Sequence, residues 1–173
     1  SGKVELRSST FEALSCEPIP VYREPAHWAA GDPDLAREYP LVLITGSRFM
    51  PMYHSEQRHL AAARAQAPDP QMTLHPETAA ALGVVEGSWA RVVTPQGRIR
   101  MRARLSDSVD RRMVDVQHGW WFPERSAADP EPFGVFESNA NVLCPDKAEF
   151  CSPEIGSWPH TALLCRVEPE GVS

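Results

Sequence analysis

The sequence predicts a mainly β protein with short helices, closed into a β-barrel. Three observations support this prediction: several short apolar segments separated by turn residues, one short segment with clear helix start and stop signals, and a long polar segment without periodicity. Neither GxGxxG nor a P-loop motif occurs in the sequence, so the standard phosphate-binding motifs of α/β folds are absent.

The first 39 residues differ from the rest of the chain. The stretch "CEPIPVYREPAHWAAGDPDLAREYP" contains five prolines and no sustained hydrophobic period, which is typical of an extended segment. We therefore predict an extended N-terminal arm or linker at 1–39, following a preceding domain, and a barrel domain at 40–173. The chain also starts without Met, which favours a piece of a larger protein over a complete one.

The barrel elements follow in order. "PLVLIT" (40–45) is a continuous apolar run typical of a buried strand. Residues 71–75 form a strand candidate, and "PETAAALG" (76–83) predicts a short helix with Pro in its first turn and Gly at its end. A hairpin is predicted at 88–105 around "PQG", and further strands at 112–117 and 160–169. The long segment 118–159 between the last two strands is typical of a functional loop.

Composition and charge exclude several classes of protein. The chain is 42% hydrophobic and 23% charged, far from the composition of disordered proteins. A net charge of −6 argues against general nucleic-acid binding. No apolar run approaches the roughly 20 residues that span a bilayer, so we expect no membrane insertion.

The cysteines and histidines give little support for a metal bound by this chain. Four cysteines are scattered without a CxxC pair, and HExxH is absent. We expect free, buried or half-buried thiols of a reducing compartment, which favours the cytoplasm, while an exported parent protein stays open. A link between Cys144 and Cys151 is the best alternative for these thiols.

Two sequence features have competing interpretations. In "RIRMRARL" four arginines alternate with apolar residues, which predicts either a basic stripe for an acidic partner or the solvated face of an antiparallel strand. The Gly-Ser step in "EGSW" (86–89) is similar to the self-cleavage step of pyruvoyl-dependent decarboxylases, but Gly-Ser is also a common turn dipeptide.

Three loops carry candidate binding residues. "TGSR" follows the first barrel strand, with a glycine for close backbone approach and hydroxyl and guanidinium donors suited to an anion. The adjacent tryptophans of "HGWWFPE" suit a core plug and a stacking platform, one residue for each role. Asn139 and Asn141 offer amides that could pair with a base or pterin edge, or could form simple Asx turns.

Four ordered stretches together resemble a known family. They are "LITGSRFMPMYHSEQR", "LHPETAAALGVVEGSWARVVTPQGRIRMRARL", "VQHGWWFPE" and "ESNANVL". The chain resembles the C-terminal molybdopterin-dinucleotide-binding domain of the dimethyl sulfoxide reductase family of molybdenum and tungsten oxidoreductases, and within it the acetylene-hydratase-like branch. The resemblance runs from about Pro40 to Pro169, and the arm is similar to the segment that precedes this domain.

The resemblance implies a double-psi β-barrel that closes over molybdopterin guanine dinucleotide. It also implies that the molybdenum or tungsten ligand and any iron–sulfur motif lie in preceding domains of a parent enzyme, so that this domain is not catalytic alone. Matched to the family's loops, the expected cofactor contacts are Thr45, Gly46, Ser47, Arg48, Tyr53, His54, Ser55, His118, Gly119, Trp120, Trp121, Asn139 and Asn141. Cys144 stands where the family commonly has Thr. The alternative function is a free-standing double-psi barrel that acts as a small-ligand or protein-interaction module.

Overall fold

The structure is a computed structural model, which describes residues 2–22, 32–48, 50–152 and 156–171. Six strands form a closed barrel: β1 (Leu41–Ser47), β2 (Gln71–Leu74), β3 (Trp89–Val93), β4 (Arg98–Leu105), β5 (Met113–Gln117) and β6 (Thr161–Pro169). Around the barrel the strands follow the order β1-β5-β2-β4-β3-β6. The prediction of a mainly β, double-psi barrel is confirmed.

Short helices accompany the strands. They are α1 (Ser9–Ala13), α2 (Pro33–Glu38), α3 (Ala61–Gln66), α4 (Pro76–Leu82) and α5 (Val135–Ser138), with 3-10 turns at Pro132–Gly134, Ala140–Leu143 and Ala148–Phe150. Helix α4 begins at Pro76 and is capped after Leu82 by Gly83 in the left-handed conformation (φ 71°), as its sequence predicts. Within the described ranges, no helix is long and apolar enough to cross a membrane.

The expectation of a wholly extended arm is wrong for its described part. Helix α1 begins where the Ser8 side chain accepts a hydrogen bond from the Phe11 N–H, and α2 begins in the same way at Asp32. These capping residues outweigh the prolines, because Pro33 occupies the first turn of a helix, where its missing N–H is not needed. Whether the arm and the barrel divide at residue 39 stays a prediction.

Strand direction decides where the loops lie. β1 runs parallel to β5, and the register places Ser47 beside Gln117 at their carboxyl ends. β2 runs antiparallel to β5 and parallel to β4, and β3 pairs antiparallel with β4. Consequently the loops after β1 and β5 and the β3–β4 turn all project from the same end of the barrel.

A plug formed by residues 140–143 closes this end of the barrel. Ala140 and Leu143 belong to the main hydrophobic core, and the Thr94 hydroxyl donates to the Leu143 carbonyl at 2.9 Å. The preceding helix is fixed to β4, because the Ser138 hydroxyl donates to the Arg100 carbonyl at 2.7 Å. The segment at 139–141 is thereby held over the end of the barrel.

The arginines of β4 lie on the outer face of the barrel, as their alternation predicts. Arg100 and Arg102 are not simply solvated. The guanidinium groups of Arg100 and Arg102 lie 4.1 and 4.5 Å from the ring centre of Trp89. Arg100 also pairs with Glu170, and Arg102 with Asp69. This chain's own carboxylates therefore offset part of the basic stripe.

All four cysteines, Cys16, Cys144, Cys151 and Cys165, are free thiols, so the alternative Cys144–Cys151 link is not formed. Burial raises the pKa of the Cys165 and Cys144 thiols. The Gly-Ser step of "EGSW" is a turn, in which the Ser88 N–H donates to the Val85 carbonyl at 3.1 Å.

We predict that Gly97→Ala destabilises the barrel by about 1–3 kcal/mol, because the added methyl group overpacks the contact with the plug. A Cβ at Gly97 lies 2.7 Å from the Val142 carbonyl oxygen, which belongs to the backbone and cannot rotate away. Denaturant unfolding measures the effect. Gly46→Ala is the matched control, since a Cβ there meets no atom of the described residues within 4 Å. Its stability should stay within about 0.5 kcal/mol of the wild type. Equal unfolding midpoints for all three proteins would contradict the plug contact.

Candidate functional site

The loop that follows β1 contributes a row of side chains at one end of the barrel. The exposed Arg48 guanidinium lies 5.5 Å from the centre of the Tyr53 ring. Tyr53 meets the His54 ring edge-on with 4.4 Å between the ring centres, and the His54 and His118 rings are 5.1 Å apart. The first two predicted loops, 45–55 and 118–121, therefore come together.

The two histidines are joined by a hydrogen bond whose direction follows from their partners. His118 Nδ1 lies 3.2 Å from the Ser47 carbonyl, which can only accept, so Nδ1 carries the proton. In neutral His118 the Nε2 atom is then an acceptor, and His54 Nδ1 donates to it over 2.9 Å. The Nε2 atom of His54 is therefore an acceptor in the neutral pair, on an exposed ring.

Burial lowers the pKa of His118, and the nearby charges of His54, Arg48 and Arg58 lower it further. The Ser47 carbonyl opposes this shift, since its hydrogen bond favours the protonated ring. The neutral form of His118 is consequently the one that the folded loop favours.

Close backbone packing fixes the two loops against each other. Gly119 has φ 67°, and a Cβ there lies only 3.0 Å from the His54 carbonyl and the Ser55 nitrogen. The Trp121 indole N–H also donates to the Ser55 carbonyl at 2.6 Å. Gly119 is thus needed for the contact between the loops.

The two tryptophans play different parts. Trp120 is fully buried, while Trp121 is half-buried, with Phe133 edge-on to its ring at 5.4 Å and His59 stacked at 6.5 Å. Trp120 is thus the buried member of the pair, and its side chain leaves no exposed face for the cofactor contact predicted for it. A stacking role for Trp121 stays a prediction.

The other residues predicted in the loop after β1 differ in how far they are already engaged in contacts within the chain. Thr45 is buried, and its hydroxyl donates to the His160 carbonyl. Burial raises the pKa of the Asp115 carboxyl group, and the Ser47 side chain opposes this shift. Gly46 is exposed and has open space beside it.

The third predicted loop lies at the same end of the barrel but stands apart. The Asn139 side-chain oxygen accepts a hydrogen bond from the Asn141 N–H at 3.0 Å. This is the Asx turn that the sequence suggests as the alternative to a ligand contact. Asn141 is exposed, beside a cleft of about 620 Å³ lined also by Gln96 and Lys147. In the part of the chain that the structure describes, no hydrogen bond or ring contact joins these asparagines to the other two loops.

Sequence reasoning missed two buried polar side chains under this site. Arg58 is 1% exposed and donates to the His54 and His118 carbonyls at 2.8 and 3.3 Å. Gln117 is also 1% exposed, and neither polar atom of its amide has a partner among the described residues. No sequence signal marks them, because arginine and glutamine in such a polar context are normally exposed. No cluster of three or more metal-ligating side chains occurs within the described ranges.

We predict that acidification from about pH 7.5 to about pH 5.5 lowers the melting temperature of the wild type more than that of His118→Gln. The pKa of His118 is lower in the folded chain than its usual value near 6.5. The unfolded chain therefore takes up the proton first as the pH falls through this range, and stability is lost. Thermal unfolding at the two pH values measures the difference.

His160→Gln is the control for this experiment, since its ring is exposed and its backbone carbonyl, which Thr45 uses, is retained. The control should keep the wild-type pH dependence. If His118→Gln keeps it as well, His118 does not titrate as its surroundings indicate.

Comparisons with known proteins identify related domains. Residues 41–154 match the family described as the molydopterin dinucleotide binding domain. The chain is 37% identical over 148 residues to an acetylene hydratase of Syntrophotalea acetylenica, covering 84% of this chain and 20% of that protein. It is 39% identical over 106 residues to a dopamine dehydroxylase of Eggerthella lenta, covering 61% of this chain and 10% of that protein.

A solved structure has the same fold. The acetylene hydratase from Pelobacter acetylenicus superposes with a TM-score of 0.89 at 33% identity, over 97% of this chain and 23% of that one. The chain thus spans about a fifth or less of the length of these curated relatives. Since the family match extends over 41–154, most of the barrel, the chain belongs to the family of molydopterin dinucleotide binding domains.

Proposed function

We propose that this chain holds molybdopterin guanine dinucleotide at the end of the barrel formed by the loops 45–55, 118–121 and 139–141. It does so as the C-terminal domain of a larger molybdenum or tungsten oxidoreductase and is not catalytic alone. When bound, the cofactor supplies the dithiolene sulfurs that carry the metal and its chemistry. The residues of this chain bind and orient it.

The open space around Gly46 is the observation that supports the proposal most directly. The φ of Gly46 lies outside the left-handed region, and a Cβ there meets no atom of the described chain within 4 Å. Neither backbone conformation nor internal packing therefore requires a glycine at this position. A bare backbone at the open end of β1 suits a ligand that approaches the main chain closely.

The charge around Gly46 suits an anion. The protein carries a net charge of −6, yet two cations lie at this loop pair: Arg48 beside Tyr53 and, behind the His54 and His118 backbones, Arg58. Arg48 is exposed and within reach of an approaching phosphate, and guanidinium groups bind phosphate oxygens in a bidentate manner. These donors fit the pyrophosphate of a dinucleotide.

Other parts of an elongated cofactor need different contacts. The half-buried Trp121 ring and the exposed Asn141 amide lie on separate loops of the same barrel end. An aromatic face suits a heterocyclic ring, and an amide suits the donor and acceptor edge of a pterin or guanine. Asn139 contributes less through its oxygen, which is already occupied by the Asx turn.

The relatives support a part in a larger enzyme. The acetylene hydratase, the dopamine dehydroxylase and a trimethylamine-N-oxide reductase of Haemophilus influenzae, 26% identical over 169 residues, are all five to ten times longer than their matched segments. Their three names describe different activities. The shared segment is therefore suited to binding a cofactor common to these enzymes, and we infer that other domains determine which substrate each enzyme uses.

We predict that Gly46→Val lowers the cofactor content of the parent enzyme by about tenfold, because the added side chain occupies the space of the ligand. The measurement is guanine nucleotide released per mole of denatured enzyme. Gly171→Val is the control, since it also has open space and lies beyond β6, away from the loops. Full guanine release from Gly46→Val would show that the ligand does not approach this backbone.

A second prediction concerns the polar side chains of this loop. Arg48→Ala should reduce released guanine nucleotide by about tenfold, since a charge-assisted hydrogen bond contributes about 1.5–3 kcal/mol. His54→Ala should reduce it as well, because it removes the exposed ring that pairs with His118 and offers its Nε2 atom as an acceptor. Arg111→Ala is the control, because this exposed arginine precedes β5 and so lies at the opposite end of the barrel. Unchanged release in both site variants would refute the assignment of this loop.

A further inference from the structure

Arg58 joins the two principal loops of the candidate site through a single nitrogen. Its Nη2 atom donates to the His54 carbonyl at 2.8 Å and to the His118 carbonyl at 3.3 Å. The side chain is 1% exposed, so Arg58 reaches neither solvent nor a ligand directly. It lies behind the loops and holds their backbones.

The charge of Arg58 has no counter-ion in the described chain. Its Nε and Nη1 atoms are buried without a partner, and none of the ion pairs between described residues includes it. Burial, and to a lesser extent the charge of Arg64, lower the pKa of Arg58 to about 10. The side chain is therefore still a cation at neutral pH.

Arg64 provides an internal comparison. The guanidinium groups of Arg58 and Arg64 lie 4.6 and 5.0 Å from the centre of the same Trp120 ring. Arg64, however, is paired with Glu124, with Nη2 and Oε1 2.8 Å apart. The chain thus neutralises one of two neighbouring cations and leaves the more deeply buried one unpaired.

An unpaired buried cation is unfavourable for folding unless something else compensates it. Replacing such a charge by an apolar side chain of similar volume is often neutral or stabilising. An anion bound on the other side of the His54 and His118 backbones would supply the compensation, since charges interact strongly through a region of low dielectric.

We propose that Arg58 is a positioning residue for the anionic cofactor. It holds the His54 and His118 loops in one arrangement, and its buried charge is left for the phosphate groups of the dinucleotide to neutralise. This inference rests on the proposed function, and it assigns to the site a residue that touches no ligand atom.

The test uses the parent enzyme with Arg58→Met, Arg58→Lys and the matched control Arg64→Met. Two quantities are measured for each: guanine nucleotide retained per folded protein, and the melting temperature of the cofactor-free form made in a host that lacks molybdopterin synthesis. We expect Arg58→Met to retain about tenfold less nucleotide, with a cofactor-free melting temperature no lower than that of Arg64→Met. Arg58→Lys keeps the positive charge but lacks the planar guanidinium group, so it should retain an intermediate amount of nucleotide. Arg64→Met should retain the wild-type amount.

Several results would overturn the inference. Equal retention by Arg58→Met and Arg64→Met would remove any special role for the unpaired charge. A cofactor-free melting temperature that falls far more in Arg58→Met than in Arg64→Met, with retention per folded protein unchanged, would make Arg58 a purely structural residue. If Arg58→Met does not fold, Arg58→Lys against Arg64→Lys decides the question, and equal retention by these two contradicts the proposal.

Failure of the proposed function gives a different result. A wild-type enzyme that contains no guanine nucleotide would refute the proposed function itself, before any variant is compared. Wild-type enzyme that contains the nucleotide, together with full retention by Arg58→Met, refutes only the role of Arg58.

Discussion

The parallel pairing of β1 with β5 is the constraint on which the candidate site depends. It places Ser47 beside Gln117, so that two loops far apart in the sequence leave the barrel next to each other. The hydrogen bond between His118 and the Ser47 carbonyl, the His54–His118 pair and the Gly119 contact all follow from this neighbourhood. A parallel pair needs a long connection between its strands, and β2, β3 and β4 occupy that connection.

Much of the barrel could be predicted from the sequence, because its strands have simple local patterns. The alternation in 98–105, the turn at 95–97 and the helix that ends at Gly83 are all found where local rules place them. The arm was harder to interpret. Its prolines suggested extended chain, whereas Ser8 and Asp32 cap short helices, and a capping hydrogen bond is visible in sequence only as one polar residue among many.

The candidate site was less accessible to local reasoning. The family resemblance identified His54 and His118, but only the fold brings their rings into contact. Arg58 could not be recognised, because its burial depends on Trp120 and on backbone carbonyls from two loops. Likewise, one glycine of the site supports internal packing and another leaves space open, and the sequence alone does not distinguish Gly119 from Gly46.

The hydrogen-bond direction within the histidine pair has a consequence for recognition. His118 Nε2 accepts a hydrogen bond from His54 Nδ1–H. While both rings are neutral, the Nε2 atom of His54 therefore offers a lone pair. In that state it can pair only with an N–H or O–H group of a ligand. If His54 Nε2 gains a proton, it becomes a hydrogen-bond donor and can pair with an oxygen atom of a ligand. The His54 ring can thus pair with a heterocyclic N–H group when it is neutral and with an oxyanion when it is protonated.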